Sequence, residues 1–261
     1  MTSPILSRIT VYPIKSLDGV SVESTECLDN GALLFDRRFA ICTAGGQILS
    51  GKRSTAFHRL QASFDLEART VTLGIRAAGV SESFSLEQPE QLNRYLSDFF
   101  DQSVRLVEDM TTGFPDDTEA GGPTLIGEAT LECIAGWFDE SVDEMRRRFR
   151  TNLEVAGVEP FWEDRLYSED GGVEFQIGTT TLLGTNACQR CAVPTRSADT
   201  GDVTAGFVKE FSRQRERTLP DWAPVNRFDH FYRVAINTIG TDIAGSILQT
   251  GTGISVRDRN F

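Results

Sequence analysis

A rhythm of short segments that alternate apolar and polar residues, punctuated by turn signals, opens the chain and constrains its fold most. Ser7-Arg-Ile-Thr-Val-Tyr12 and Val20-Ser-Val-Glu-Ser-Thr-Glu-Cys27 alternate with period two. Arg38-Phe-Ala-Ile-Cys42 follows, with Ala44-Gly45-Gly46 as a hairpin turn, and Phe57 to Asp65 and Thr70 to Ile75 continue the pattern. Successive side chains of a strand face opposite ways, so each such segment buries one face. Many short strands at regular spacing imply a barrel or sandwich.

The rhythm breaks between Gln88 and Phe100, where Leu92, Tyr95, Leu96, Phe99 and Phe100 fall at helical spacing. Met110 to Pro123 is rich in Gly, Pro, Thr and acid, and reads as an inter-domain link or mobile loop. Beyond it, Thr124-Leu-Ile leads into a helical pattern from Glu128, carried by Leu131, Ile134, Phe138, Val142, Met145 and Phe149. Ser141 with Glu144 forms a capping box, which predicts a break near Asp139. Strands are expected over Arg150–Gly157, Val173–Ile177, Thr180–Leu183, Arg227–Ile236 and Ile254–Val256. Gly206–Arg217 is expected to be a basic helix presenting Lys209, Arg213, Arg215 and Arg217 to solvent, where they would dock an acidic electron carrier. The sum is a mainly β protein with some helices (α+β), in two parts, residues 1–115 and 116–261.

Composition narrows the function. Hydrophobic residues make up 39% and charged residues 25% of the 261, which describes a folded globular chain. A net charge of −12 argues against nucleic-acid binding, which needs clustered Lys and Arg. Yet Lys15, Arg37, Lys52, Arg53 and Arg150 stand in structured, partly apolar surroundings, as a net-anionic protein that holds an anionic cofactor requires. No apolar run is long enough to span a bilayer, and the N-terminus lacks a signal-peptide pattern, so a cytoplasmic location is expected. The 5 cysteines cannot all pair, and Cys27, Cys42 and Cys133 lie in apolar patterns as small core residues. His58 and His230 are the only histidines; a zinc site with Cys188 and Cys191 is arithmetically possible but lacks ligand spacing.

The chemistry concentrates in the turn Cys188-Gln189-Arg190-Cys191. An arginine between two thiols stabilises thiolate over thiol, which makes a soft metal ligand or a nucleophile. No nucleophile elbow, phosphate loop or dinucleotide fingerprint is present. Glu163 and Asp164 read as turn-fixing partners of Arg165 and not as an acid–base pair.

Taken in order, several motifs resemble the MOSC family, named for the C-terminal domain of molybdenum cofactor sulfurase. They are similar to the members with their own N-terminal β-barrel domain, such as mitochondrial amidoxime reducing component and its bacterial relatives. The motifs are Val11-Tyr-Pro-Ile-Lys-Ser16 with Gly19, Phe35-Asp-Arg37, Ser50-Gly-Lys-Arg53 and Phe149-Arg-Thr-Asn152. Pro160-Phe-Trp-Glu-Asp-Arg165, Gln176-Ile-Gly178, Cys188-Gln-Arg-Cys191 and Asp199-Thr-Gly201 complete the set. The resemblance implies two β-barrel domains and a molybdenum cofactor, molybdenum held by molybdopterin. It implies Cys191 as the metal ligand and catalytic residue, and Lys15, Ser16, Arg37, Arg150, Asn152, Gln189 and Arg190 as cofactor contacts. It further implies an oxidoreductase that reduces N-hydroxylated small molecules, supplied by a separate ferredoxin-, flavin- or cytochrome-type donor.

The chain departs from the family pattern in places. Thr151 replaces the proline of Phe-Arg-Pro-Asn, Ser197 an aspartate behind the cysteine turn, and Phe228-Asp-His-Phe231 a Phe-Gly-x-Tyr motif. The last departure leaves His230 or Tyr232 as substitutes for a cofactor contact. The alternative function is a non-redox member, in which Cys191 carries sulfur as a persulfide or the cofactor is bound and handed on. Cys188 could tune the site, form a reversible disulfide with Cys191, or pack.

Overall fold

The first alternating segment forms β1 (Ile5–Val11) in a computed structural model that describes residues 3–76, 78–117, 119–240 and 242–256. Leu6, Ile9, Thr10 and Val11 are buried from it, and a register shift between Leu6 and Arg8 breaks the strict alternation. The next alternating run splits into β2 (Val20–Val22) and β3 (Ser24–Glu26), because β2 pairs with β1 and β3 turns away to a distant strand. After β4 (Phe39–Thr43), a 3-10 turn takes Thr55–Arg59, so β5 begins only at Leu60 and runs to Asp65. β6 (Thr70–Ile75) and β7 (Ser81–Ser85) complete a three-stranded antiparallel sheet. α1 (Glu90–Phe100) buries Leu92 and Leu96, and β8 (Val104–Glu108) pairs with β4.

The second half contributes β9 (Leu125–Gly127), α2 (Glu128–Phe138) and α3 (Val142–Phe149). The break lies at Asp139, which caps α2 in the left-handed conformation, and the Ser141 hydroxyl accepts the Glu144 amide at 3.0 Å to start α3. Arg150 is the left-handed cap of α3 and not the start of a strand; β10 covers Leu153–Ala156. β11 (Val173–Ile177) and β12 (Thr180–Gln189) form the expected hairpin, but β12 continues past Leu183 to the cysteine turn. α4 (Phe207–Arg217) precedes β13 (Arg233–Gly240), which starts later than expected because Val225–Arg227 forms a 3-10 turn. β14 (Ile247–Gln249) and β15 (Ile254–Val256) end the described chain.

The largest sheet has the order β15-β11-β12-β13-β9-β10-β1-β2. An antiparallel bridge between Ile5 and Gly253 brings β1 against the residues that enter β15, which curls the sheet toward closure. β1 and β2 thus lie in a sheet otherwise built from the second half, and β3 pairs with β14. One core fills that sheet, from Leu6 and Ile9 to Phe175 and Ile236. A second packs Ile14, Phe39, Ile41, Leu73 and Leu92 inside the first half, and a third packs Leu131, Phe149, Phe207 and Phe211 between α2, α3, α4 and the sheet. Each fully buried side chain of this size contributes about 1.5–3 kcal/mol.

Arg215 corrects the expected solvated face of α4. It is fully buried, paired with Asp164 and stacked over Phe161. Lys209, Arg213 and Arg217 remain at the surface, with Arg213 paired to Glu210 at 2.5 Å.

Candidate functional site

A cleft of about 1050 Å³ opens between the halves. Its walls include Ser16, Arg37, Lys52 and His58 from the first half, and Arg150, Asn152, Cys188, Gln189, Arg190, Cys191 and Arg196 from the second. Ser16, Arg37 and Arg150 all adopt left-handed backbone, at φ 73°, 50° and 54°. For side chains other than glycine this conformation costs roughly 1–2 kcal/mol, and such strain gathers at functional sites.

Tyr12, at the end of β1, organises the cationic wall. Its buried ring lies under two guanidinium groups, Arg150 at 4.2 Å and Arg37 at 4.9 Å from ring centroid to guanidinium carbon. Its hydroxyl donates to the Thr151 carbonyl at 3.2 Å, and burial pushes its pKa up to about 12, so it stays a neutral donor. Arg37 pairs with its neighbour Asp36 and also donates to the Arg150 carbonyl at 3.3 Å. Burial works against the Arg37 charge, but Asp36 outweighs it and raises the pKa. Arg150 has no such partner: burial and the nearby Arg37 charge lower its pKa, and among the described residues it makes no ion pair. An arginine keeps its proton regardless, so this wall presents a cation in need of an anion.

Asn152 is buried and fully engaged. Its carbonyl oxygen accepts from the Thr124 amide and hydroxyl at 3.2 and 3.1 Å and from Arg37 at 3.4 Å, while its amide donates to the Thr10 carbonyl at 3.1 Å. It braces Arg37 and ties β1 to the entry of β9. Ser16 is engaged too: its hydroxyl accepts the Gly51 amide at 3.0 Å.

The cysteine turn continues β12. A bulge between Ala187 and Gln189 interrupts its pairing with β13 at Cys188, a device that re-aims side chains. The two thiols differ. Cys188 is buried and donates to the Asn237 side-chain oxygen at 2.7 Å. Burial pushes its pKa up to about 11, the opposing Arg190 charge notwithstanding, so it is a neutral thiol. Asn237 is oriented in turn by Asp117, which accepts its amide at 3.1 Å. Cys191 is half-buried, lines the cleft, and accepts the Val193 amide at 3.5 Å. Tyr232 holds the turn, its hydroxyl on the Cys191 carbonyl at 3.2 Å and its carbonyl accepting the Arg190 amide at 3.2 Å. His230 accepts the Tyr232 amide at 3.2 Å and is not on the cleft wall.

Arg190 lies over the Phe149 ring and donates to the Phe149 carbonyl, with its Nε buried and unpartnered. Gln189 is exposed beside it. Lys15 does not line the cleft. Its ammonium is taken by the segment after β8, donating to the Phe114 and Pro115 carbonyls at 2.8 and 3.3 Å and to Asp116 at 2.6 Å.

The fold adds residues that sequence reasoning did not assign to the site. Arg196 donates to the Gly51 carbonyl at 2.6 Å, leaves its Nε buried and unpartnered, and makes no ion pair among the described residues. His58 sits nearby; burial and the Arg196 charge lower its pKa, and its Nε2 lacks a partner among the described residues. Arg76 and Arg147 share the Asp199 carboxylate at 3.5 and 2.6 Å, and Arg76 also takes Asp18 at 2.6 Å. Only Arg196 carried a local signal, its place directly behind the cysteine turn. Among the described residues, no group of three His, Cys, Asp or Glu is placed to hold a metal ion, and no helix is long and apolar enough to cross a membrane.

Residues 3–120 match the MOSC N-terminal beta barrel domain, and residues 125–239 match the MOSC domain. Molybdenum cofactor sulfurase of Oryza sativa subsp. japonica is 24% identical over 245 residues, 76% of this chain and 29% of the relative. The sulfurase of Danio rerio is 27% identical over 278 residues, 84% of this chain and 33% of the relative. Mitochondrial amidoxime-reducing component 1 of Xenopus laevis is 22% identical over 244 residues, 77% of this chain and 68% of the relative. The chain therefore spans about a third of the sulfurases it matches.

Proposed function

The chain belongs to the MOSC family, with both the N-terminal barrel and the MOSC domain, and from that premise we propose a molybdenum-cofactor oxidoreductase that reduces N-hydroxylated small molecules. The observation that carries the reading is the pairing of an accessible thiol with carboxylate-free guanidinium groups on one cleft.

The residues fit an anionic cofactor ligated through sulfur. Among the described residues Arg150, Arg190 and Arg196 form no ion pairs, in a chain of net charge −12 that has carboxylates to spare. The buried Nε atoms of Arg190 and Arg196 lack hydrogen-bond partners among the described residues, and unmet donors of this kind are costly unless a ligand compensates them. Cys191 would be the metal ligand, and thiolate suits a soft centre. Arg150 and Arg190 would grip the anionic groups through planar donor forks, with Arg37 held behind them by Asp36 and Asn152. Lys15 belongs to this set only if Asp116 releases it. Cys188, a neutral thiol committed to Asn237, would shape the turn without ligating.

When bound, the cofactor supplies the redox chemistry, and the protein supplies ligand, orientation and charge. The overall conversion takes two electrons and two protons and turns R–NHOH into R–NH2 and water. A separate donor protein of ferredoxin, flavin or cytochrome type would furnish the electrons. The test is turnover of an amidoxime or hydroxylamine panel by protein from a cofactor-competent host. Cys191→Ala should abolish it, and a variant that still turns over rules out Cys191 as ligand.

The sulfurase relatives favour one second reading, in which Cys191 carries a persulfide. Mass spectrometry that finds a stable added sulfur on Cys191, in protein free of molybdenum, would select it.

A further inference from the structure

The strand that faces the cysteine turn is irregular beside it. Ala187 pairs with Ile236 and Gln189 with Arg233, so two residues of β13, Val234 and Ala235, together oppose Cys188. The extra residue makes a β-bulge, which bends a strand and re-aims its side chains. Ala235 adopts left-handed backbone there, at φ 64°, and among the described residues no other non-glycine residue does so inside a strand. Glycine is the usual occupant of such a position, because a Cβ crowds the neighbouring carbonyl. Here the buried Ala235 methyl is held in the cluster that contains Phe207 and Phe211.

The bulge decides which way the residues before it face. Ile236 packs in the core of the large sheet. Strict alternation from Ile236 would send Val234 and Tyr232 to that same side. Instead Tyr232, Val234 and Ala235 all pack in the core beneath α4. Tyr232 thereby meets Phe211 edge-on, with 5.2 Å between ring centroids, and its hydroxyl reaches the Cys191 carbonyl at 3.2 Å. Its own carbonyl accepts the Arg190 amide at 3.2 Å. The bulge is also pinned from the far strand, where the Ala187 carbonyl accepts the Arg233 guanidinium at 3.1 Å.

We propose that Ala235 is a positioning residue for Cys191. Its left-handed bulge turns Tyr232 to the helix side of the sheet, and Tyr232 then holds the cysteine turn at two points, the Cys191 carbonyl and the Arg190 amide. The orientation of the Cys191 thiol is therefore fixed from the neighbouring strand before any ligand arrives. The inference goes beyond the proposed reaction: it applies equally to a metal-ligating and a persulfide-bearing Cys191, and its test needs neither.

Iodoacetamide is the probe, applied to the full chain freed of any cofactor, with each cysteine followed by peptide mapping and the Arg190 amide by hydrogen exchange in nuclear magnetic resonance. Ala235→Gly takes the left-handed backbone freely, so it should keep the wild-type labelling pattern with a urea midpoint no lower than wild type. Ala235→Val carries a branched side chain that this backbone rejects, and should label Cys191 about three- to tenfold faster and lose Arg190 protection by a similar factor. Tyr232→Phe leaves the bulge whole and removes only the hydroxyl, so it should speed Cys191 labelling alike while the Arg190 amide stays protected. Cys27 and Cys42, buried away from the turn, should stay unlabelled in Ala235→Gly and Tyr232→Phe, which separates a moved turn from a loosened fold. Wild-type Cys191 reactivity in Tyr232→Phe or in folded Ala235→Val overturns the proposal. So does an Ala235→Gly protein that is clearly less stable or labels Cys191 faster, a result that stands even where Ala235→Val fails to fold. Molybdenum content of the wild type reports on the proposed function separately, so the two can fail independently.

Discussion

The Arg150 guanidinium lies 4.2 Å above the Tyr12 ring and has no carboxylate among the described residues. A cation held against an aromatic face and withheld from pairing is a standing electrostatic cost to the empty fold, one that an anionic ligand relieves. Arg150→Gln should therefore lower pterin retention by about tenfold to a hundredfold, the loss of a charge-assisted contact. It should leave the melting temperature of the empty protein unchanged or higher. Pterin fluorescence per protein and a thermal melt check both halves.

The two thiols should separate chemically. Iodoacetamide at pH 8 should label the half-buried Cys191 and spare Cys188, whose thiol is buried, bonded to Asn237 and protonated up to about pH 11. Cys188→Ser keeps a donor for Asn237 and should retain molybdenum, whereas Cys191→Ser should lose it. Peptide mapping and metal analysis read the outcomes.

Asn152 should prove structural at its own position and functional through its neighbour. Asn152→Ala strands buried partners on Thr124 and Thr10 and frees Arg37. The expected loss is about 2–4 kcal/mol in urea unfolding. Asn152→Asp keeps the acceptor and loses the donor, and should fall between.

Much of the fold was legible because it rests on local pattern. The period-two runs, the helical spacing from Leu131 to Phe149 and the Ser141–Glu144 cap each report their own neighbourhood. What escaped depends on distant partners. β3 leaves β2 because β14 pairs with it from the far end of the chain, and Arg215, polar in a polar helix, is buried because Asp164 and Phe161 wait for it. At the site, motif resemblance picked out Arg37, Arg150, Cys188 and Cys191, and all four line one cleft. It did not show that Asn152 is consumed, that Asp116 occupies Lys15, or that His58 and Arg196 meet behind the cysteine turn.

Glu163 gives a pH prediction. It is buried, one oxygen accepts from Thr130 at 2.9 Å and the other has no hydrogen-bond partner among the described residues; burial and the neighbouring Asp164 raise its pKa to about 7. The folded protein thus binds the proton more tightly than the unfolded chain. The resulting stabilisation is full below about pH 4.5 and is lost as pH rises through about 7. Glu163→Gln, which keeps the neutral form at every pH, should match the wild type near pH 4.5 and exceed it by up to about 3 kcal/mol at pH 8. Urea titrations across pH 4.5–8 check the sign; a variant less stable at the alkaline end contradicts it.

The most direct measurement is molybdenum and pterin content of the full chain purified from a cofactor-competent host. Wild type should carry near-stoichiometric molybdenum with pterin, and Cys191→Ala and Arg150→Gln should each lose most of it while staying folded. Well-folded wild type without either would contradict the account, and so would a Cys191→Ala protein that keeps its full load of both.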